Sequence, residues 1–144
     1  MIDPLATTLE VSVSTHPNAA FMRATYDAYT TGDLASLSGH AHDDFAFHFP
    51  GRSSLAGVYH GLPEVIQLFT RQFELTGGDF QVIPQKILAD DETGIALIRV
   101  RGTRGTRRLD APGVNVVRFQ DGKLAEYWSY TYDQYAVDKF WSEH

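Results

Sequence analysis

Hydrophobic and polar positions follow two different periods along this chain. Residues 17–31 and 61–74 carry apolar side chains at helical spacing, and a glycine able to adopt positive φ follows each segment. Pro17 suits the first position of a helix, and Asp33 suits the cap of a short helix over residues 34–37. These segments are predicted to be helices.

Strand alternation governs most of the remaining chain. Phe45, Phe47 and Phe49 alternate with smaller or polar residues until Pro50-Gly51 ends the strand. The later predicted strands are 58–60, 79–89 (with a bulge or edge position at Pro84), 95–103, 107–119 (interrupted near Pro112-Gly113) and 124–132. Asp121-Gly122 is predicted to form a hairpin turn, and residues 136–141 a short terminal helix or tail. This order predicts an α+β fold in which a cone-shaped, curved antiparallel sheet carries the N-terminal helices on its concave face and forms a pocket at its mouth.

The length of 144 residues fits one domain, assigned to residues 16–144. Residues 1–15 are weakly patterned and are predicted to be an N-terminal arm, for which a short edge strand and disorder both stay open. No internal repeat is apparent.

Composition narrows the class of partner and compartment. A net charge of -6 argues against a nucleic-acid partner, because phosphate binding needs a basic surface. No segment reaches transmembrane length, and the N-terminus lacks the basic start and apolar core of a secretory signal, so we expect a cytoplasmic protein with no membrane partner. The absence of cysteine excludes disulfides and thiolate chemistry.

An ordered series of motifs resembles the nuclear transport factor 2-like superfamily, and above all its SnoaL-like polyketide cyclases and ketosteroid isomerase-like proteins. The matching residues are Tyr29 with Thr31-Gly32-Asp33, Asp43-Asp44 with Phe47-His48-Phe49-Pro50-Gly51, Gly57 with Tyr59-His60-Gly61, Gly77-Gly78, Arg118-Phe119 with Asp121-Gly122-Lys123, Glu126 with Trp128, Asp133, Asp138 and Phe140-Trp141. The resemblance covers about residues 16–141 and is specific for the fold rather than for the activity.

The resemblance implies a cone-shaped fold with a deep apolar cavity, often dimeric and usually without a cofactor. The steroid isomerase machinery is not carried over, since Phe49 stands at the place of the general base, Thr25 at that of the oxyanion tyrosine, and Asn115 near that of the second aspartate. SnoaL-like cyclases carry an acid–base aspartate near the end of the final strand, and Asp133 matches it best.

Asp133 and His48 are the candidate catalytic residues. If Asn115 faces the cone, pairing across the hairpin directs Tyr127 and, further along, Asp133 inward, where burial would raise the pKa of that carboxyl. Capping of the following helix is the alternative role for Asp133. If Phe45, Phe47 and Phe49 face the core, His48 points away from it, unless a bulge at Pro50 reverses the alternation. The alternative to a catalytic role for His48 is that of a hydrogen-bonded histidine within the sheet.

The predicted substrate-binding residues are Asn115, Tyr29, Tyr127, His60, Phe49 and Thr25. Asn115 is flanked by valines, and a buried amide needs a hydrogen-bond partner that a substrate could supply. His60 could line the cavity mouth or lie in a surface loop. His40, His42, Asp43 and Asp44 have metal-binding side chains, but nothing in their spacing defines a geometry, and no metal is expected.

Large aromatic residues are predicted on the outer face of the sheet, at Trp128, Tyr130 and Tyr132. Such a row is usually covered, which predicts a homodimer through that face.

The predicted function is that of a cofactor-independent acid–base enzyme, an isomerase, cyclase or dehydratase. It would act on an apolar oxygenated or polyketide-like small molecule bound in the cone. Epoxide ring opening and a non-catalytic small-molecule-binding domain are the alternatives.

Overall fold

The computed structural model describes residues 12–13 and 15–143. Its elements in chain order are β1 (Ser12–Val13), α1 (Pro17–Thr31), a 3-10 helix (Leu34–Leu37), β2 (Ala41–Phe49), β3 (Gly57–His60), α2 (Gly61–Leu75), β4 (Gln81–Ala89), β5 (Thr93–Arg104), β6 (Arg107–Gln120), β7 (Lys123–Thr131) and α3 (Gln134–Trp141). The predicted α+β class is confirmed. Most of the proposed N-terminal arm, residues 1–11 and 14, lies outside the described residues.

One curved sheet contains all seven strands of the described residues, in the order β1-β4-β5-β6-β7-β2-β3. The meander β4–β7 is antiparallel, as is the β2–β3 pair. β1 and β2 join the meander at its two edges in parallel, next to β4 and β7. Register shifts occur in β2, at the predicted site after Pro84, and after Arg118; such bulges bend strands and strengthen the twist of a sheet.

Local chemistry explains where α1 begins and ends. The His16 side chain accepts a hydrogen bond from the Asn18 backbone N–H, and Pro17 occupies the first turn. Gly32 ends the helix with φ 80°, a left-handed conformation that glycine adopts without strain. The hairpin turn between β6 and β7 likewise uses positive φ at Asp121 and Gly122, as predicted.

The core lies between the inner face of the sheet and the helices. On β5, alternate residues from Gly94 to Val100 are buried, so the period of two directs one face inward. Trp141 of α3 is 1% exposed and packs against Phe80 and Phe140, which fastens the C-terminal helix to the sheet.

The predicted interruption of β6 is absent. The strand runs through Pro112 and Gly113 without a break in its pairing with β5. The Pro112 carbonyl oxygen accepts a hydrogen bond from the Tyr132 backbone N–H, and Tyr132 lies beyond the end of β7. Proline has no N–H to donate, and at this position no residue of β7 is left that would have to accept from it. A Cβ atom at Gly113 would lie only 2.5 Å from the Tyr130 backbone carbonyl oxygen, which explains why this position is occupied by glycine.

Candidate functional site

A cavity of about 100 Å³ lies between the inner face of the sheet and the three helices. Its lining is overwhelmingly apolar. The lining residues are Thr25, Tyr26, Tyr29, Leu34, Leu37, Phe45, Phe47, Phe49, Pro50, Leu62, Val65, Ile66, Phe69, Gln72, Phe80, Val82, Val100, Leu109, Asn115, Leu124, Tyr127, Ser129, Thr131, Gln134, Val137 and Trp141. Ligand pockets usually measure about 300–1,000 Å³, so the enclosed space holds roughly one ring, and a larger ligand must extend through the mouth.

A triangle of hydrogen bonds forms the polar part of the lining. The Asn115 side-chain amide donates to the hydroxyls of Tyr26 (2.8 Å) and Tyr127 (2.9 Å). The two hydroxyls lie 2.9 Å from each other. α1, β6 and β7 contribute one residue each, so the cluster exists only in the folded protein.

Counting protons shows that this cluster keeps unused hydrogen-bonding capacity. Both Asn115 N–H bonds are occupied, and one tyrosine hydroxyl donates to the other, so the second hydroxyl retains a hydrogen without an acceptor in the cluster. The Asn115 Oδ1 atom is buried and has no partner among the described residues. The cluster can therefore give one hydrogen bond to a ligand and accept another.

Three further buried polar atoms of lining residues have no partner in the part of the chain that the structure describes. They are the Tyr29 hydroxyl, Gln72 Oε1 and Thr131 Oγ1. Buried polar groups are usually satisfied, and a cluster of exceptions around one cavity favours a ligand site.

Burial governs the titration of the cavity tyrosines. Desolvation raises the pKa of Tyr26, against the smaller lowering effects of its bonds to Tyr127 and Asn115. Burial also raises the pKa of Tyr29, and it raises the pKa of Tyr127 well above its ordinary value, with smaller raising effects from Tyr26 and Tyr29 and a lowering effect from the Asn115 hydrogen bond. All three hydroxyls therefore stay protonated at neutral pH and act as donors rather than bases.

The structure brings five of the predicted site residues together. Asn115, Tyr29, Tyr127, Phe49 and Thr25 all line the cavity. The alternation across the hairpin is confirmed, since Tyr127 pairs with Val117 and Asn115 with Ser129. A binding role for these residues stays a prediction.

Among the lining residues, Gln72 was not predicted, whereas Tyr26 is one of several tyrosines whose hydroxyl could donate to a substrate oxygen but was not among the preferred site residues. Tyr26 precedes Tyr29 by three positions on α1 and so shares its face. Gln72 lies seven positions after Val65, within the apolar stripe of α2, and is 2% exposed. A polar residue within the apolar stripe of a helix is the sequence feature that could have indicated Gln72.

Asp133 does not line the cavity, which corrects the prediction that it faces inward. β7 ends at Thr131, so the alternation does not extend to residue 133. The exposed carboxylate instead accepts from the Ala136 N–H at 3.0 Å and caps α3. The capping alternative is the one that the geometry supports.

His48 lies on the outer face of the sheet, so the prediction of a cavity role for it is wrong. Phe45 and Phe47 are buried on the inner face, and the bulge of β2 falls before residue 46 rather than at Pro50, so no reversal occurs. The His48 Nε2 atom lies 2.6 Å from the Glu126 carboxylate, and its ring stacks on Trp128 at 5.1 Å. The alternative of a hydrogen-bonded sheet histidine describes this position.

His60 is exposed and is not a lining residue, so of its two predicted places the structure supports the surface position, and a substrate-binding role has no support in the geometry. Its backbone N–H donates to the Glu64 side chain at the start of α2. Within residues 12–13 and 15–143, no three His, Cys, Asp or Glu side chains are grouped as a metal site. No described helix is long and apolar enough to cross a membrane.

The cavity lining contains no carboxylate, imidazole, ammonium or guanidinium group from the described residues. General acid–base catalysis by Asp133 or His48 inside the cavity therefore has no support in the geometry. What the arrangement offers is an apolar enclosure with neutral hydrogen-bond donors and acceptors at fixed positions.

A small α+β cone with an enclosed apolar cavity is the class of protein that this fold and site define. The sequence profile of the SnoaL-like domain family matches residues 22–127, and the chain belongs to that family, within the nuclear transport factor 2-like superfamily. An uncharacterised protein of Mycobacterium tuberculosis is 28% identical over 122 residues, which are 84% of this chain and 93% of the relative.

Solved structures share the fold. Bal32a, from a soil-derived mobile gene cassette, is 34% identical with a TM-score of 0.81, over 86% of this chain and 95% of that one. IdmH of Streptomyces antibioticus, described as a candidate polyketide cyclase, is 18% identical with a TM-score of 0.67, over 82% of this chain and 94% of that one. At that identity the likeness to IdmH concerns the fold alone.

Proposed function

We propose that this SnoaL-like protein binds a small, largely apolar molecule in the cavity and holds one oxygen of that molecule at the Asn115–Tyr26–Tyr127 cluster. The observation that carries the proposal is the unused hydrogen-bonding capacity of this cluster inside an uncharged, apolar enclosure. Each unsatisfied buried polar atom costs about 1–3 kcal/mol, so a ligand that pairs with it gains affinity.

A catalytic extension of this proposal is an intramolecular cyclisation that closes a ring without transferring a proton to the protein and needs only confinement and a polarised carbonyl. The free tyrosine hydrogen would donate to that carbonyl and stabilise negative charge developing on its oxygen. The raised tyrosine pKa values favour a donor of this kind over a base. IdmH, described as a candidate polyketide cyclase, has the same fold and makes cyclisation the first reaction class to assay.

The test is a binding titration of one-ring ketones and phenols followed by amide NMR shifts. Asn115→Leu removes both amide donors while filling the site with a side chain of similar size. We expect it to weaken the binding of oxygenated rings about tenfold and to leave that of p-xylene unchanged. Leu97→Met, on the outer sheet face, is the control. If Asn115→Leu binds every ring as tightly as Leu97→Met does, the role of the cluster is refuted.

We also propose that the outer face of the sheet forms a homodimer. Leu88, Ile95, Val116, Trp128, His48 and Val58 form one cross-strand row over six strands. Leu88, Ile95 and Val58 remain 38–47% exposed in the single chain. An exposed row of mainly apolar side chains favours a protein partner, and a second copy presents the same row in reverse.

A further inference from the structure

Two buried polar side chains on the helical side of the cavity are not explained by the cluster around Asn115. Tyr29 is 6% exposed and Gln72 is 2% exposed, and both line the cavity. The Tyr29 ring packs against Phe69 (4.9 Å) and Phe73 (5.2 Å), which flank Gln72 on α2. The two residues therefore belong to one region of the α1–α2 wall.

Neither polar atom has a hydrogen-bond partner in the described part of the chain. Gln72 Oε1 is a carbonyl oxygen and needs a donor, whereas the Tyr29 hydroxyl can donate or accept. Burial raises the pKa of Tyr29, which keeps its proton available for donation. A ketone or ether oxygen could accept from Tyr29, but it could not satisfy Gln72.

Asn115, in the other polar group of the cavity, also needs a hydrogen-bond donor. Asn115 Oδ1 is also a buried carbonyl oxygen without a partner among the described residues. A ligand with only acceptor atoms would leave both amide oxygens unsatisfied, at the full desolvation cost of each. A hydroxyl group can donate to an amide oxygen and accept from a tyrosine at the same time.

We propose that Gln72 and Tyr29 form a second polar subsite that binds a hydroxyl group, so that the ligand is a ring carrying at least one hydroxyl in addition to the oxygen held at Asn115. This inference rests on the proposed function, because it assumes that a ligand occupies the cavity. Gln72 would then select hydroxylated rings over their ketone, ether or hydrocarbon counterparts.

The test uses three one-ring probes of matched size: p-xylene, p-cresol and hydroquinone, with resorcinol as a second spacing of the two hydroxyls. Binding is followed by NMR titration, including the side-chain amide signals of Gln72 and Asn115. We expect at least one of the two diols to bind about tenfold more tightly than p-cresol and to shift both amide signals.

Gln72→Met keeps the length of the side chain and removes its polar atoms. This variant is expected to lose the tenfold preference for the diol while binding p-cresol within about twofold of the unchanged protein. Gln67→Met, at an exposed position of the same helix, is the matched control and should keep the preference. Tyr29→Phe should reduce the preference in the same direction as Gln72→Met.

The outcomes separate the two proposals. If none of the probes binds in the cavity, the proposed function itself fails. If p-cresol binds and depends on Asn115, but neither diol binds better and Gln72→Met changes nothing, only the second subsite is refuted. The second subsite is also refuted if a diol binds in the cavity but the Gln72 side-chain amide signal does not shift. Gln72 Oε1 would then be hydrated and not bonded to the ligand.

Discussion

Replacement of Tyr127 by phenylalanine tests the hydrogen-bond triangle most directly. The substitution removes one hydroxyl and keeps the ring, which stacks on Phe47 at a centroid distance of 5.0 Å. Two bonds are lost, one from Asn115 and one shared with Tyr26, both 2.9 Å long. At about 1 kcal/mol net for each bond, the free energy of unfolding should fall by about 2 kcal/mol.

Thermal and urea denaturation measure this change. The entropy of unfolding for a chain of this length is about 0.3 kcal/mol/K, so a loss of about 2 kcal/mol lowers Tm by about 7 °C. The urea m-value should not change, since the packing of the ring is retained.

Tyr130→Phe is the matched control for this experiment. Tyr130 lies on the same strand, points to the outer face and is 41% exposed, so its hydroxyl is hydrated. Loss of that hydroxyl should change the free energy of unfolding by less than about 0.5 kcal/mol. If Tyr127→Phe is as mild as Tyr130→Phe, the triangle does not stabilise the fold and the reasoning about the cavity cluster fails.

Three other predictions concern titration, capping and assembly. Because burial raises the pKa of Tyr29, the contribution of this residue to stability is complete below about pH 10 and is lost as pH rises further. Tyr29→Phe should therefore reduce the alkaline slope of the unfolding free energy by about 1.4 kcal/mol per pH unit. An unchanged slope would contradict the burial of Tyr29. Asp133→Ala should cost about 1 kcal/mol in denaturation and leave ligand binding unchanged, whereas Asp133→Ser keeps a cap; a binding loss in both variants would restore a site role. Ile95→Lys should convert a dimer to a monomer in sedimentation velocity while Tyr135→Lys does not, and a monomeric unchanged protein would rule out the dimer.

Local patterns identified most elements of the fold because period and capping are properties of neighbouring residues. Pro17 and Gly32 bound α1, and Asp121-Gly122 forms the β6–β7 hairpin, as predicted. The continuity of β6 through Pro112 was missed, since whether a proline interrupts a strand depends on what lies beside its nitrogen in the sheet.

The candidate site was harder to predict than the fold. Extrapolating the alternation of β7 by two residues placed Asp133 in the cavity, but the strand ends at Thr131 and the chain turns into α3. For His48, the alternation of the phenylalanines already indicated the outer face, and no bulge reversed it. Neither titratable side chain faces the cavity, because the direction of each depends on where its strand ends or bulges.

The amino-acid sequence by itself determined most of the helices and strands, the α+β class, and the inward direction of Asn115 and Tyr127. Three-dimensional packing alone decides that Asn115 meets Tyr26 across 89 positions of sequence, and that Tyr26 meets Tyr127 across 101. The physical reason is that side-chain direction within an element repeats every 2 or 3.6 residues, whereas contacts between elements depend on strand register and on how helices dock. Three features depend on such contacts between elements: the polar cluster, the lack of charged groups among the described residues that line the cavity, and the Gln72 Oε1 atom, which has no partner among those residues.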